Sequence, residues 1–104
     1  MTGDEVVVIA RGVVAEGRSK QLLGFLARLQ ALTAAEPGTL SQQWYYDRTD
    51  PSVLWVHEVF QDVAALDVHR ENVRELLKEL ARCFVELPVP NRCAPLIVGN
   101  AEFL

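Results

Sequence analysis

The sequence is poor in the residues that bind metals and in the basic residues that bind nucleic acids. It contains two Cys and two His among 104 residues, so a zinc site of the common types is not expected. Cys83 and Cys93 form no CxxC pair, and we interpret them as reduced structural thiols, with a disulfide or a reactive cysteine as alternatives. Ten basic against fourteen acidic residues give a net charge of -4, which argues against nucleic acid as a partner.

Long apolar runs are also missing. No stretch approaches the roughly 18–20 residues that a membrane-spanning helix requires, so no membrane partner is expected. The first residues, Met1 to Glu5, are acidic and lack the positive region of a signal peptide. The expected location is therefore the cytoplasm.

Apolar residues are abundant, by contrast. They make up 50% of the 104 residues, and the mean hydropathy is +0.11. A chain of this length predicts a single domain spanning residues 1–104. Because a small domain buries only roughly two-thirds of its surface, some apolar surface is expected to meet a partner chain or a ligand.

The first half of the chain predicts a strand, a helix and two more strands. The strands are the β-branched run Val6–Val14 and the alternating segments Thr39–Arg48 and Val53–Phe60. The helix follows Gly17 and stops at Glu36-Pro37-Gly38, because Pro37 disfavours helical geometry in the residue before it. One apolar stripe runs along this helix: Leu22, Phe25, Leu26, Leu29 and Leu32.

The second half predicts a second helix and a last strand. Asp62 is a plausible N-cap, and apolar residues recur at helical spacing as far as Phe84. Asn72 is expected to mark a break or bend in this helix. Pro88 and Pro90 prevent its continuation, and Arg92–Val98 is the predicted last strand. The tail ends in Phe103-Leu104, which favours packing over a free end.

The predicted order, β-α-β-β-α-β, is the ferredoxin-like arrangement of the α+β class. Two helices cover one face of its antiparallel sheet. The predicted strand Val53–Phe60 is apolar on both faces, which indicates a second partner for the sheet. Two such sheets packed across a two-fold axis would form a homodimer, a dimeric α/β barrel.

Several short motifs resemble those of the antibiotic-biosynthesis monooxygenase-like family. They are Glu36-Pro37-Gly38 at the end of helix one, Glu58 two residues before the aromatic Phe60, and His69 seven residues after Asp62. The resemblance covers the whole chain. It implies a dimeric α/β barrel that oxygenates a small aromatic, phenolic or quinol-type substrate with molecular oxygen, without flavin, metal or haem. The implied site is a cavity between the sheet and the helices.

The sequence also departs from the family. Phe60 stands where many members have Trp, Arg74 where many have a second His, and Gln42 where many have Tyr. Haem-degrading relatives use an Asn on strand one and a His on helix two as haem ligand. The matching positions here are about Ala10 and Lys78, so haem degradation is not expected.

Cofactor-free oxygenation requires a base, hydrogen-bond donors and an apolar pocket. His69 is the best candidate base, because it lies on the apolar stripe of helix two; a packed histidine bonded to a backbone carbonyl is the alternative. Glu58 is the second acid/base candidate, and a structural ion pair is its alternative. His57 lies on the opposite face and is interpreted as an interface residue. The candidate pocket-lining aromatics are Trp44, Tyr46 and Phe60, which could equally be core or interface residues.

Three functions are therefore open. The first is a cofactor-independent monooxygenase with Glu58 or His69 as acid/base group. The second is a non-catalytic dimer that binds a small ligand or acts in stress. The third is an isomerase or lyase in which the same two residues move a proton without oxygen. Oxygen dependence separates the first from the third.

Overall fold

The computed structural model describes residues 3–99 of the chain. The order as far as the second helix is the predicted one, β-α-β-β-α; a 3-10 turn and two short strands follow in place of the single predicted strand. The predicted packing of Phe103-Leu104 lies outside the described residues. The elements are β1 (Val6–Val14), α1 (Ser19–Ala34), β2 (Thr39–Tyr46), β3 (Val53–Phe60), α2 (Val63–Leu80), the 3-10 turn (Ala81–Cys83), β4 (Phe84–Glu86) and β5 (Asn91–Cys93).

The strands form one antiparallel sheet in the order β2-β3-β1-β4, and β5 also pairs with β1. β3 pairs with β1 over the whole of its length, from Phe60 opposite Val6 to Val53 opposite Val13. This register brings Val8 directly beside Glu58. The ferredoxin-like α+β fold predicted from the sequence is confirmed.

The two helices cover one face of the sheet. Val56 and Phe60 of β3 are buried beneath them, whereas Trp55 and His57 lie on the other face and are exposed. Two buried apolar clusters fill the space between helices and sheet. The larger joins α1 to α2 through Leu22, Leu26, Leu29, Val73, Leu76 and Leu80; the smaller consists of Val6, Val8, Phe60 and Leu66.

The start of α2 is fixed by a cap and by a glycine. The Asp62 carboxylate accepts a hydrogen bond from the backbone N–H of Ala65 at 2.8 Å, which confirms the predicted N-cap. Gly38 lies against the same turn, and a Cβ there would be 2.5 Å from the Ala65 Cβ. The Gly38 carbonyl also accepts the Gln61 N–H at 2.8 Å. Because Gly38 has no side chain, the end of α1 and the start of α2 can pack against each other.

The predicted break at Asn72 is wrong, because α2 runs unbroken from Val63 to Leu80. The Asn72 amide donates to the Glu36 carboxylate at 2.7 Å, so it does not compete for the backbone of its own helix.

Across residues 3–99 no helix is long and apolar enough to cross a membrane.

The predicted last strand, Arg92–Val98, is also wrong in its extent. Pairing stops at Cys93, shortly before Pro95, which has no N–H to donate. The strand Phe84–Glu86 was not predicted, since Phe84 continued the helical spacing of α2. The 3-10 turn redirects the chain there, and Phe84 pairs with Val14 of β1.

Candidate active site

A buried histidine–carboxylate pair joins the two helices. Glu36 follows the end of α1, and His69 lies two turns into α2. The His69 Nδ1 and the Glu36 Oε1 are 2.7 Å apart, and the side chains are only 7% and 5% exposed. A bond this short, shielded from water, fixes the orientation of the imidazole ring.

Two further donors hold the Glu36 carboxylate. The Thr39 hydroxyl donates to Oε1 at 2.7 Å, and the Asn72 amide donates to Oε2 at 2.7 Å. Burial by itself would raise the pKa of Glu36. The hydrogen bonds from Asn72, Thr39 and His69 outweigh it and lower the pKa below its ordinary value. Glu36 therefore remains an anion that faces the imidazole.

Glu58 approaches the other nitrogen of the ring. Its Oε2 lies 3.4 Å from the His69 Nε2 and accepts a shorter bond, 2.6 Å, from the Gln42 amide. Among residues 3–99 no hydrogen bond reaches its Oε1. Burial would lower the pKa of His69, but the hydrogen bonds and charges of Glu58 and Glu36 outweigh it and raise the pKa. The two carboxylates thus stabilise the protonated ring between them.

Glu58 and His69 both line a cavity of about 300 Å³ between the sheet and the helices, which we call the His69 cavity. The rest of its wall is almost wholly apolar. Its other lining residues are Val8, Ala10, Leu29, Trp44, Val56, Leu77, Leu80, Ala81, Leu87, Pro88 and Pro90.

The three predicted pocket aromatics have different positions. Trp44 lines the His69 cavity. Phe60 is fully buried beneath it, with its ring centroid 4.9 Å from that of His69, so it supports the imidazole without reaching the cavity. Tyr46 is largely exposed and lines a separate cleft at the start of α1.

Two buried polar atoms near the cavity have no hydrogen-bond partner within residues 3–99. They are the Trp44 Nε1 and the Gln42 Oε1. An unsatisfied buried donor or acceptor costs about 1–3 kcal/mol, and a functional role is one of the reasons why a protein retains such a group. A hydrogen-bonding ligand beside Trp44 would remove that cost.

No other described part of the surface brings a histidine and carboxylates together at an apolar cavity. His57 is exposed on the open face of β3, away from the His69 cavity. Another concavity, of about 630 Å³, lies on the outer side of α2 among charged residues that include Arg70, Arg74 and Lys78. Two of these cations pair with Glu on the same helix, so we interpret this concavity as a solvated face. Within residues 3–99 no group of three His, Cys, Asp or Glu is arranged to hold a metal ion.

Sequence reasoning missed the role of Glu36, which it used only as part of a helix stop. A Glu just after a helix is ordinary, and 33 residues separate it from His69. The available signal was indirect: Glu36 directly precedes Pro37-Gly38, and Gly38 is where the chain approaches the helix that bears His69.

The sequence matches the family model for antibiotic biosynthesis monooxygenase over residues 5–82. No protein of curated function matches it. Among solved structures it is similar to Rv0793 from Mycobacterium tuberculosis, with 23% identity, a TM-score of 0.81 and coverage of 92% of this chain and 99% of that one.

Two further structures share the fold. A conserved protein from Methanosarcina mazei Go1 is 20% identical, with a TM-score of 0.82 and coverage of 88% of this chain and 92% of that one. A protein named antibiotic biosynthesis monooxygenase is 22% identical, with a TM-score of 0.80 and coverage of 88% and 99% respectively. These likenesses establish the fold, and the match over residues 5–82 establishes that this chain belongs to the antibiotic biosynthesis monooxygenase family.

Proposed function

We propose that the protein is a cofactor-independent monooxygenase that oxidises a small aromatic or quinol-type substrate with molecular oxygen. One observation carries the proposal: Glu58 and His69 meet at an apolar cavity of about 300 Å³. Ligand sites typically combine such an apolar wall with a few converging polar groups. Membership of the family supports the general reaction class.

The first step is removal of a proton from the substrate. The free Oε1 of Glu58 accepts a hydrogen bond and then the proton from the substrate hydroxyl or enol. Rotation of the carboxyl group carries this proton to the neutral His69 at Nε2, which lies 3.4 Å from the other oxygen of Glu58. Glu36 holds Nδ1 at 2.7 Å and stabilises the imidazolium that forms. Because the carboxylates raise the pKa of His69, the ring is a stronger base than a free imidazole.

The deprotonated substrate then supplies the electrons. In an anthrone-type substrate, the ring carbanion gives electrons to oxygen and a carbon–oxygen bond forms, leaving a peroxide. The His69 imidazolium returns its proton to this peroxide, and loss of water then breaks the O–O bond and the remaining C–H bond, which leaves a carbonyl. One oxygen atom ends in the product and the other in water. The apolar wall keeps bulk water from the reactive anion.

The lining also indicates a substrate without negative charge. No Arg or Lys lines the His69 cavity within the described part of the chain, and Glu58 lines it. A phosphate or carboxylate there would be unpaired and repelled. Neutral phenols, quinols and anthrones fit this lining better than phosphorylated substrates do.

We also propose that the active form is a homodimer. Ile9, Tyr45 and Trp55 lie exposed on the face of the sheet that no helix covers. Contact between two such faces would bury them without blocking the His69 cavity. Light scattering at micromolar concentration tests this, and a monomer mass would reject it.

Oxygen uptake tests the proposed reaction. Purified protein is given a panel of anthrones and hydroquinones under ¹⁸O₂. We expect uptake above the no-protein rate, with one labelled oxygen atom in the product and none when ¹⁶O₂ is used with labelled water. No uptake over the whole panel would reject the oxygenase. Substrate rearrangement under argon would instead favour the isomerase or lyase.

A further inference from the structure

A second apolar cleft lies on the same face of the sheet as the His69 cavity. It has a volume of about 550 Å³ and runs between the start of α1, the end of β2 and the start of β3. We call it the α1 cleft. Its walls are mainly aliphatic and aromatic, and they include Leu22, Leu23, Leu26 and Leu54.

Trp44 is the one residue of the described chain that lines both spaces. Its indole Nε1 is a buried donor that has no partner within residues 3–99. The side chain is therefore a shared wall that carries an unused hydrogen-bond donor. A ligand lying across this wall would place atoms in both spaces, and a small rotation of the indole would bring its shielded Nε1 to an oxygen of the ligand.

The α1 cleft and the His69 cavity have similar charged residues in their linings. Neither is lined by Arg or Lys in the part of the chain that the structure describes, while the acidic residues Glu16 and Glu58 line the cleft and the cavity respectively. A negatively charged arm, such as a phosphate or a coenzyme thioester, would have no counter-ion there. The aliphatic wall suits an uncharged hydrocarbon arm.

We propose that the substrate is a phenol or quinol with an uncharged alkyl or prenyl arm. The ring occupies the His69 cavity, the arm occupies the α1 cleft, and the Trp44 indole donates a hydrogen bond to a ring oxygen. This inference rests on the proposed function for the position of the ring. It adds a substrate class and assigns Trp44 and the cleft to binding.

Titration calorimetry under argon tests the inference without any oxygen chemistry. The probes are phenol, 4-ethylphenol, 4-butylphenol and 4-hexylphenol. We expect affinity to rise about fourfold for each methylene that enters the cleft. Trp44→Phe should weaken every probe by a similar factor, about fivefold, and leave the dependence on chain length unchanged.

A pair of variants on α1 distinguishes binding in the α1 cleft from non-specific binding of apolar probes. Leu23 is 66% exposed and lines the cleft, whereas Leu32 is 39% exposed and lines neither space. Leu23→Arg should abolish the gain from chain length, and Leu32→Arg should retain it. Thermal unfolding of both variants shows whether each is folded.

The outcomes distinguish this inference from the oxygenase proposal. Phenol binding with no gain from chain length would overturn the inference and leave the oxygenase standing. Equal losses in Leu23→Arg and Leu32→Arg, or no binding of any probe, would also overturn it. The oxygenase proposal is judged separately by oxygen uptake.

Discussion

The two faces of β3 hold neighbouring residues in opposite surroundings. His57 is exposed on the open face, beside Trp55 and away from both cavities. Glu58, the next residue, faces α2 and lies 3.4 Å from the buried His69. The side-chain period of two in a strand separates them. The comparison teaches that residue type alone does not mark the site, since the chain has two histidines and only one lies between carboxylates.

The largest expected effect comes from substituting the two histidines, one on each face of the sheet. His69→Asn should lower the rate of oxygen uptake by about 10²–10⁴-fold, the usual contribution of a general base. His57→Asn should change it little. If both variants oxidise an anthrone substrate at the same rate, the assignment of the chemistry to the helix-covered face of the sheet is contradicted.

A second prediction contrasts a buried carboxylate with an exposed one. Glu36→Gln should lower the free energy of unfolding by about 3 kcal/mol at pH 6, because it removes one partner from a buried pair. Glu79 pairs with Arg28 at 3.5 Å, with both side chains at least half exposed. Glu79→Gln should cost less than about 1 kcal/mol.

Urea unfolding of both variants measures the difference. Similar losses would mean that the Glu36–His69 pair contributes no more to stability than a surface ion pair.

A third prediction concerns the closure of α1 on α2 beneath the site. Gly38→Ala should destabilise the fold by about 2 kcal/mol, because its Cβ would clash with Ala65. Gly24 lies inside α1 with no atom within 4 Å of an added Cβ, so Gly24→Ala should stabilise by about 0.5–1 kcal/mol. Thermal unfolding should move the midpoints in opposite directions, and the same direction for both would reject this packing.

The smallest expected effect is a pH dependence of stability. The pKa of His69 is raised above 6.5, so its contribution is complete below 6.5 and is lost as pH rises through the folded value. The pKa of Glu36 is lowered below 4.5, so its contribution is present above 4.5 and is lost as pH falls through the folded value. The pair therefore stabilises most between about pH 4.5 and 6.5.

The difference in unfolding free energy between wild type and His69→Gln should be largest near pH 5.5 and smaller at pH 8. Oxygen uptake should follow the opposite trend, because the neutral ring is the base. A difference that is the same at both pH values would contradict the charged pair.

Much of the fold could be predicted because local patterns determine it. The alternation of Val53–Phe60 gave the third strand with correct bounds, and Asp62 marked the start of α2. Where local patterns competed with distant contacts, the prediction failed. Asn72 looked like a helix breaker, yet its amide is taken up by Glu36, a partner 36 residues away.

The candidate site was predictable only in part. His69 and Glu58 could be chosen from helical and strand spacing, although their catalytic roles stay predictions. Their distance depends on the packing of α2 on β3, and Glu36 reaches His69 where the chain closes on α2 at Gly38. Neither relation is a local property of the sequence. Tyr46 shares a strand face with Trp44, but it lies beyond the His69 cavity, which no periodicity could indicate.

The most direct test of the account is an NMR titration of the His69 ring in wild type and in Glu58→Gln. The central claim is that two carboxylates make this imidazole a stronger base at the cavity. We predict a pKa above 6.5 in wild type and a lower pKa in the variant. A wild-type pKa at or below 6.5, unchanged in Glu58→Gln, would contradict the claim and leave His69 as a packing residue.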